Sequence, residues 1–231
     1  MRYWILVPAA GSGSRLGGPV PKQYLSLAGR PVIHHTLERL LRSDALGLVV
    51  VLAAGDTRWS QSNPPADPRL LTATGGAERI DSVRAGLQRL ADRAMADDFV
   101  LVHDAVRPCI TRADLRALLA AADHPGGAVL AAPVADTLKR VSGGVVVATE
   151  SRDGLWAAQT PQLFRYQMLC AALAGAAGRD PPTTDEAAAA EAAGHRPRVV
   201  AGRRDNIKIT WPGDLALAEA ILARQAEEEG T

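Results

Sequence analysis

The sequence predicts an α/β fold, a mostly parallel sheet with helices on both faces and one projecting β-hairpin. Three observations predict it. Short continuous apolar runs recur between segments of helical spacing, as expected for parallel strands buried on both faces. The first run, Tyr3 to Val7, passes directly into a loop of glycine and other small residues. The alternation then breaks between Pro133 and Trp156, where two short runs flank Ser142-Gly143-Gly144 with no helix between them.

Taken in order, Tyr3 to Val7 is a buried strand stopped by Pro8, and loop follows from Ala9 to Pro21. Pro31 to Arg42 reads as a helix opened by proline, with Val32, Leu37, Leu40 and Leu41 available to one face. Leu46 to Ala53 is a second strand, and Gly55 to Pro68 is loop with room for one helical turn. Leu70 to Thr74 is a third strand, ended by Gly75-Gly76. In Arg79 to Arg93, Ile80, Val83, Leu87 and Leu90 recur at helical spacing. Phe99 to Val102 is a strand ended by His103-Asp104, and Ala128 to Ala132 is another. Between them Thr111 is placed to cap a helix over Arg112 to Ala122, with Asp114 at its third position.

Thr137 to Val141 and Val145 to Thr149 form the predicted hairpin. Tyr166 to Ala177 and Asp185 to Ala193 read as alanine-rich, solvated scaffold helices. Val199-Val200 and Ile207 to Thr210 read as short strands, and Pro212 opens a last helix running into the acidic tail Glu227-Glu228-Glu229. The expected whole is one Rossmann-like domain over residues 1–231, with a β-arm at about 133–156 through which two copies would pair.

Composition limits the function classes. The chain has 231 residues, 47% apolar and 22% charged, with a net charge of +1. That balance lacks the basic excess of a general nucleic-acid binder. No apolar run approaches the ~18 residues of a membrane span. The apolar start after Arg2 is short for a signal peptide, and cleavage there would destroy the loop that follows, so a cytoplasmic enzyme is expected. Cys109 and Cys170 show neither metal-ligand nor redox spacing. His34 and His35 are adjacent, point to different faces of a helix and make no metal pair.

The loop Pro8-Ala9-Ala10-Gly11-Ser12-Gly13-Ser14-Arg15-Leu16-Gly17-Gly18-Pro19-Val20-Pro21-Lys22 lies at the carboxyl edge of the sheet, where open α/β sheets bind ligands. Small residues let backbone N–H groups approach a polyphosphate, and Arg15 and Lys22 supply cations. A dinucleotide fingerprint needs its third glycine one residue earlier and a helix immediately after, which Pro19 and Pro21 prevent. A P-loop needs a closing Gly-Lys-Ser/Thr, which is missing. Without Arg15 and Lys22 a structural glycine turn would account for the loop; with them, phosphate binding accounts for it better.

His103-Asp104-Ala105-Val106-Arg107 sets an acid and a base three residues apart at the end of a buried strand. Asp104 could hold Mg²⁺, directly or through water, or accept hydrogen bonds from substrate hydroxyls. Arg107 could meet a substrate phosphate or simply pair with Asp104. His103 reads as a packing residue.

The stretch from Ala9 to Gly17, followed by Pro21-Lys22-Gln23-Tyr24-Leu25, resembles the signature of nucleotidyltransferases that activate sugar and polyol phosphates. Its Pro-Lys-Gln-Tyr form is similar to the 2-C-methyl-D-erythritol 4-phosphate cytidylyltransferases of the non-mevalonate isoprenoid pathway. Further segments resemble that family in order: Gly75 to Val83, Val102 to Pro108, Asp136 to Lys139, Arg152 to Trp156, Gln159 to Gln162 and Asn206 to Thr210. The resemblance implies that Pro8, Ala9, Ala10, Gly11, Gly13, Gly75, Gly76, Ser82 and Asp104 bind the nucleotide. It implies that Asp104, Arg107, Thr137, Arg152 and Thr160 bind the acceptor, with the arm crossing to a second subunit. Lys208 matches a lysine near the reacting phosphates, so Arg15, Lys22 and Lys208 are the catalytic candidates. Ala77 occupies a position that varies among relatives, and its side chain offers no polar contact.

The implied reaction transfers CMP from CTP to the acceptor phosphate and releases pyrophosphate, with Mg²⁺ as cofactor. The nucleophile, a phosphate monoester oxygen, is already ionised, so cations and positioning matter more than a general base. A ribitol 5-phosphate cytidylyltransferase would share most of these residues and differ in its acceptor pocket. An NAD(P)-dependent oxidoreductase fits the glycine spacing poorly. A non-catalytic nucleotide-binding relative would not need the full set of cations.

Overall fold

The structure, a computed structural model, describes residues 1–11, 19–176 and 183–229. Strand β1, Tyr3–Pro8, has parallel partners on both sides: β4, Leu48–Leu52, and β6, Phe99–Val102. Ile5 is in register with Leu48 on one side and Leu101 on the other. Tyr3, Ile5 and Val7 join a core closed by α1, Val32–Leu41, and α4, Arg112–Ala120. Trp4 and Leu6 face the opposite layer, under α3, Arg79–Arg89, and α5, Tyr166–Gly175. A strand covered on both faces must be apolar at every position, which is why this run shows no alternation.

Beyond β4 lies β5, Leu70–Thr74, again parallel. On the other side of β6 come β10, Trp156–Arg165, then β7, Ala128–Pro133, and β11, Arg198–Ala201, giving the order β11-β7-β10-β6-β1-β4-β5. β10 runs antiparallel to both of its neighbours. Sequence reading missed this strand. Its middle, Gln159-Thr160-Pro161-Gln162, is polar and contains a proline, which argues against a central strand. The structure accommodates both: the ladder with β7 shifts register between Ala158 and Gln162, so Pro161 occupies no regular ladder position. Gln159, Thr160 and Gln162 are all buried there.

Other elements lie close to expectation. Thr111 and Asp114 form the predicted reciprocal cap on α4. The predicted helical turn is α2, Arg58–Gln61. A 3₁₀ turn at Lys22–Tyr24 and a small antiparallel pair, β2 (Ser26–Leu27) with β3 (Arg30–Pro31), lead into α1. The hairpin strands are β8, Leu138–Ser142, and β9, Val145–Glu150, which pair with each other as a separate two-stranded sheet. The last helix, α7, is Asp214–Glu229, and Ala218 and Ile221 pack it against Leu27 and Val106. Among the described residues no helix is long and apolar enough to cross a membrane.

Two expectations need correcting. The alanine-rich helices are not solvated scaffolding: α5 and α6, Glu186–Ala192, bury Leu169, Leu173, Ala187, Ala189 and Ala190 beneath the sheet. Alanine here permits close packing and does not mark exposure. Ile207 to Thr210 form no strand, because the segment crosses the edge of the sheet and its contacts go to loops.

Candidate active site

β1, β4, β5 and β6 are mutually parallel, so the residues that follow β1, β5 and β6 gather at one edge of the sheet. After β1 come Ala9 to Gly11, after β5 the pair Gly75-Gly76, and after β6 His103-Asp104. Between them lies a pocket walled by Pro8, Ala9, Ala10, Gly11, Lys22, Gly76, Ser82, Asp104 and Lys208, all predicted site residues.

Its first wall is tied down by Gln23, whose side-chain amide donates to the carbonyls of Ala9 at 2.7 Å and Gly11 at 3.2 Å. The second wall depends on glycine. A Cβ on Gly75 would lie 2.6 Å from the Ser82 hydroxyl and 2.8 Å from the Ala10 methyl, so the Gly75 backbone packs directly between the two loops. Ser82 is 3% exposed, yet it lines the pocket and donates to the Glu78 carbonyl at 3.3 Å.

The floor is electrostatic. One oxygen of Asp104 pairs with Lys208 Nζ at 2.8 Å and faces Arg107 Nε at 3.5 Å, and the other accepts from Arg79 at 3.3 Å. Burial alone would raise this carboxyl; Arg79, Lys208 and Arg107 together hold it far below the usual carboxylate range. Asp104 is therefore ionised at any physiological pH. Behind it the Asp104 backbone N–H donates to Thr160 Oγ1 at 3.0 Å, and Thr160 Oγ1 lies 3.1 Å from His103 Nδ1. His103 Nε2 lies 3.1 Å from the Arg107 carbonyl, and burial pushes its pKa down to about 4, so the ring is neutral. His103 is thus a packing residue, with hydrogen bonds that tie the site together.

Lys208 reaches the floor because its segment is pinned at several points. Asn206 Nδ2 donates to the Thr160 carbonyl at 2.9 Å, and Arg107 donates to the Asn206 carbonyl at 2.7 Å. The Ile209 N–H donates to Val106 at 2.9 Å, and Lys22 Nζ meets the Ile209 carbonyl at 3.4 Å.

Of the remaining predicted residues, Gly75 supports the wall from behind, and Arg107 and Thr160 sit behind Asp104 and do not line the pocket. For Arg107 the ion pair with Asp104 is the alternative seen. Thr137 and Arg152 are exposed at the base of the arm, away from the pocket lining, and Arg152 donates to the Ala135 carbonyl. Gly13 and Arg15 lie outside the described residues.

Sequence reasoning missed Gln23, Arg79 and Glu186. Arg79 stands at the first turn of α3 within a segment already singled out, and an arginine beside a ligand-facing glycine pair was a usable signal. Glu186 gave no local signal: it opens an alanine-rich helix and meets Arg79 across 107 positions of chain. Chemically the arrangement brings Lys22, Arg79 and Lys208 to a backbone-lined pocket whose carboxylates are Asp104 and Glu78 and whose described lining holds no histidine or cysteine, which suits a polyanion. The described residues contain no cluster of three or more metal-ligating side chains.

Comparison with known proteins agrees with this picture. Residues 3–224 match the family model described as 2-C-methyl-D-erythritol 4-phosphate cytidylyltransferase. The enzyme of that name from Chromohalobacter salexigens is 53% identical, over 96% of this chain and 90% of its own length. The one from Ectopseudomonas mendocina is 51% identical over 98% of each chain. Among solved structures, a 4-diphosphocytidyl-2C-methyl-D-erythritol synthase superposes with a TM-score of 0.83 at 36% identity, covering 96% of this chain and 99% of its own. The cytidylyltransferase of Thermus thermophilus gives 0.78 at 34% identity, covering 97% and 100%.

Proposed function

The chain belongs to the 2-C-methyl-D-erythritol 4-phosphate cytidylyltransferase family and transfers CMP from CTP to 2-C-methyl-D-erythritol 4-phosphate in isoprenoid precursor synthesis, and we propose that it does so in the pocket floored by Asp104. The observation that carries this reading is the convergence of Lys22 and Lys208. They come from opposite ends of the chain, line one pocket, and are linked through the Ile209 carbonyl.

The cytosine and ribose lie between the Ala9 to Gly11 backbone and the Gly75-Gly76 to Ser82 wall, and the triphosphate runs toward the two lysines. Arg15 belongs to the same triphosphate set by its place in the loop. An oxygen of the acceptor's phosphate attacks the α-phosphorus, and the bond to the bridging oxygen breaks with release of pyrophosphate. Lys22 and Lys208 flank the α-phosphate and take up the charge that builds there. Asp104 holds Lys208 in place and offers its outer face to a ribose hydroxyl.

The donor set fits a magnesium ion brought in by the triphosphate, since such ions use one or two carboxylates together with substrate phosphates. Both oxygens of Asp104 already meet cations, so Asp104 would hold it through water, and when bound it would neutralise phosphate oxygens.

Thr137 and Arg152 are exposed on the arm, next to a run of exposed apolar side chains at Val141, Val145, Val146, Val147 and Trp156. Such a patch on a projecting hairpin is a protein-binding surface. A homodimer in which each arm carries Thr137 and Arg152 to the neighbour's acceptor site accounts for both observations.

Lys22→Ala tests the pocket. The variant should fold normally and lose about 10²–10³ in pyrophosphate release from CTP. Near-normal turnover by the folded variant would remove Lys22 from the reaction.

A further inference from the structure

The buried Glu186 and the half-buried Arg79 form an ion pair against the pocket that the reaction leaves without a task. Arg79 Nη1 meets Glu186 Oε1 at 2.5 Å and Nη2 meets Oε2 at 3.1 Å. The same guanidinium reaches Asp104 Oδ1 through Nε and Nη2, both at 3.3 Å. Glu186 is 1% exposed, while Arg79 lines the pocket. Burial pushes the Glu186 carboxyl up and the Arg79 charge opposes it. A pair of this kind adds little net stability over an apolar replacement, so stability alone does not account for it.

Its geometry does. The start of α6 is fixed by Gln162 of β10, which donates to Asp185 at 2.8 Å and accepts the Ala187 N–H at 2.9 Å. Glu186 is thereby held between two anchored neighbours, and their anchor, Gln162, lies two residues along β10 from Thr160, which holds Asp104. Both ends of the Glu186–Arg79–Asp104 chain are thus referenced to one strand. Arg79 engages Asp104 Oδ1 and leaves Oδ2 to Lys208 at 2.8 Å, with Arg107 Nε farther off at 3.5 Å.

We propose that Glu186 is a positioning residue for nucleotidyl transfer: it clamps and neutralises Arg79, keeps the second oxygen of Asp104 for Lys208, and sets the charge that the triphosphate meets. This rests on the reading that CTP occupies the pocket. Without the Glu186 charge, Arg79 faces the pocket uncompensated. It attracts the phosphates of substrate and product alike, and competes with Lys208 for Asp104.

The test is steady-state kinetics on folded protein across a range of salt. In Glu186→Gln the KM for CTP should fall about fivefold, the effect of one added positive charge near the triphosphate. Its dependence on salt should steepen. Turnover should drop roughly tenfold from the misplaced lysine. Arg79→Gln should raise KM about fivefold. The double variant Arg79→Gln/Glu186→Gln should restore KM and salt dependence while turnover stays low. A Glu186→Gln protein whose KM and salt dependence match wild type overturns the proposal. If that variant does not fold, the double variant must still bind CTP about fivefold more tightly than Arg79→Gln; equal affinity overturns it. Lys22→Ala separates the two readings. If it leaves turnover intact, the pocket assignment fails; if it abolishes turnover while Glu186→Gln behaves as wild type, this proposal alone fails.

Discussion

The backbone N–H of Asp104 donates to the side-chain hydroxyl of Thr160 at 3.0 Å, and strand register places the two together. β10 runs antiparallel to β6 with Gln162 opposite Val102, so the residue two before Gln162 meets the residue two after Val102. β10, antiparallel to both its neighbours in the seven-stranded sheet, thus delivers its first half to the edge where the parallel strands end.

Thr160→Val keeps the shape of the side chain and removes the acceptor. It should cost about 1–3 kcal/mol of stability, because a buried N–H loses its partner. Turnover should fall as well, since Asp104 holds Lys208. Thr160→Ser should restore both. Denaturant unfolding and pyrophosphate release check the pair; equal stability of the valine and serine variants would show that the bond does not hold Asp104.

His103 predicts a pH dependence of folding. Its pKa is lowered from 6.5 to about 4 by burial, so the unfolded chain takes up a proton at a pH where the folded protein does not. The associated stability is complete above about 6.5 and is lost as pH falls toward about 4. The loss approaches about 3 kcal/mol. Unfolding free energies measured across that window should flatten in His103→Gln relative to wild type. Parallel curves for the two proteins would rule out His103 as the source.

Gly75→Ala should damage the pocket wall and the fold together. The added carbon would press on Ser82 and Ala10, within 2.6 Å and 2.8 Å. Overpacking of this kind costs about 1–3 kcal/mol. Relief by backbone movement would displace Ser82, so the KM for CTP should rise. An unchanged melting temperature and KM would show that the two loops can separate without consequence.

The arm predicts complementation. Arg152→Ala subunits and Lys22→Ala subunits should each be nearly inactive alone, and heterodimers made from them should recover activity. In a mixed dimer one site has both an intact loop and an intact neighbouring arm. No recovery in heterodimers verified by mass would show that each subunit completes its own site.

Elements whose signals are local were legible from the chain alone. β5 and β6 fall at their predicted limits, and the α4 cap pairs Thr111 with Asp114 as expected, because apolar runs and capping act over a few residues. β10 was hidden because its polar centre and Pro161 obey long-range demands: Thr160 serves Asp104, and Gln162 serves α6. The same holds for Ile207 to Thr210, whose alternating pattern resembles a strand but whose partners are Val106, Lys22, Asp104 and Asp214.

Fold class, glycine-rich edge, family and most charged groups of the pocket are readable along the chain. These follow from short-range patterns of apolar spacing, small residues and motif order. Which of those groups share a wall is set by how the strands and helices pack. That packing set Arg107 and Thr160 behind Asp104, left Thr137 and Arg152 out on the arm, and joined Arg79 to Glu186. The physical reason is that electrostatic partners in this site come from segments far apart in the chain. Their pairing depends on strand order and register, which no local pattern encodes.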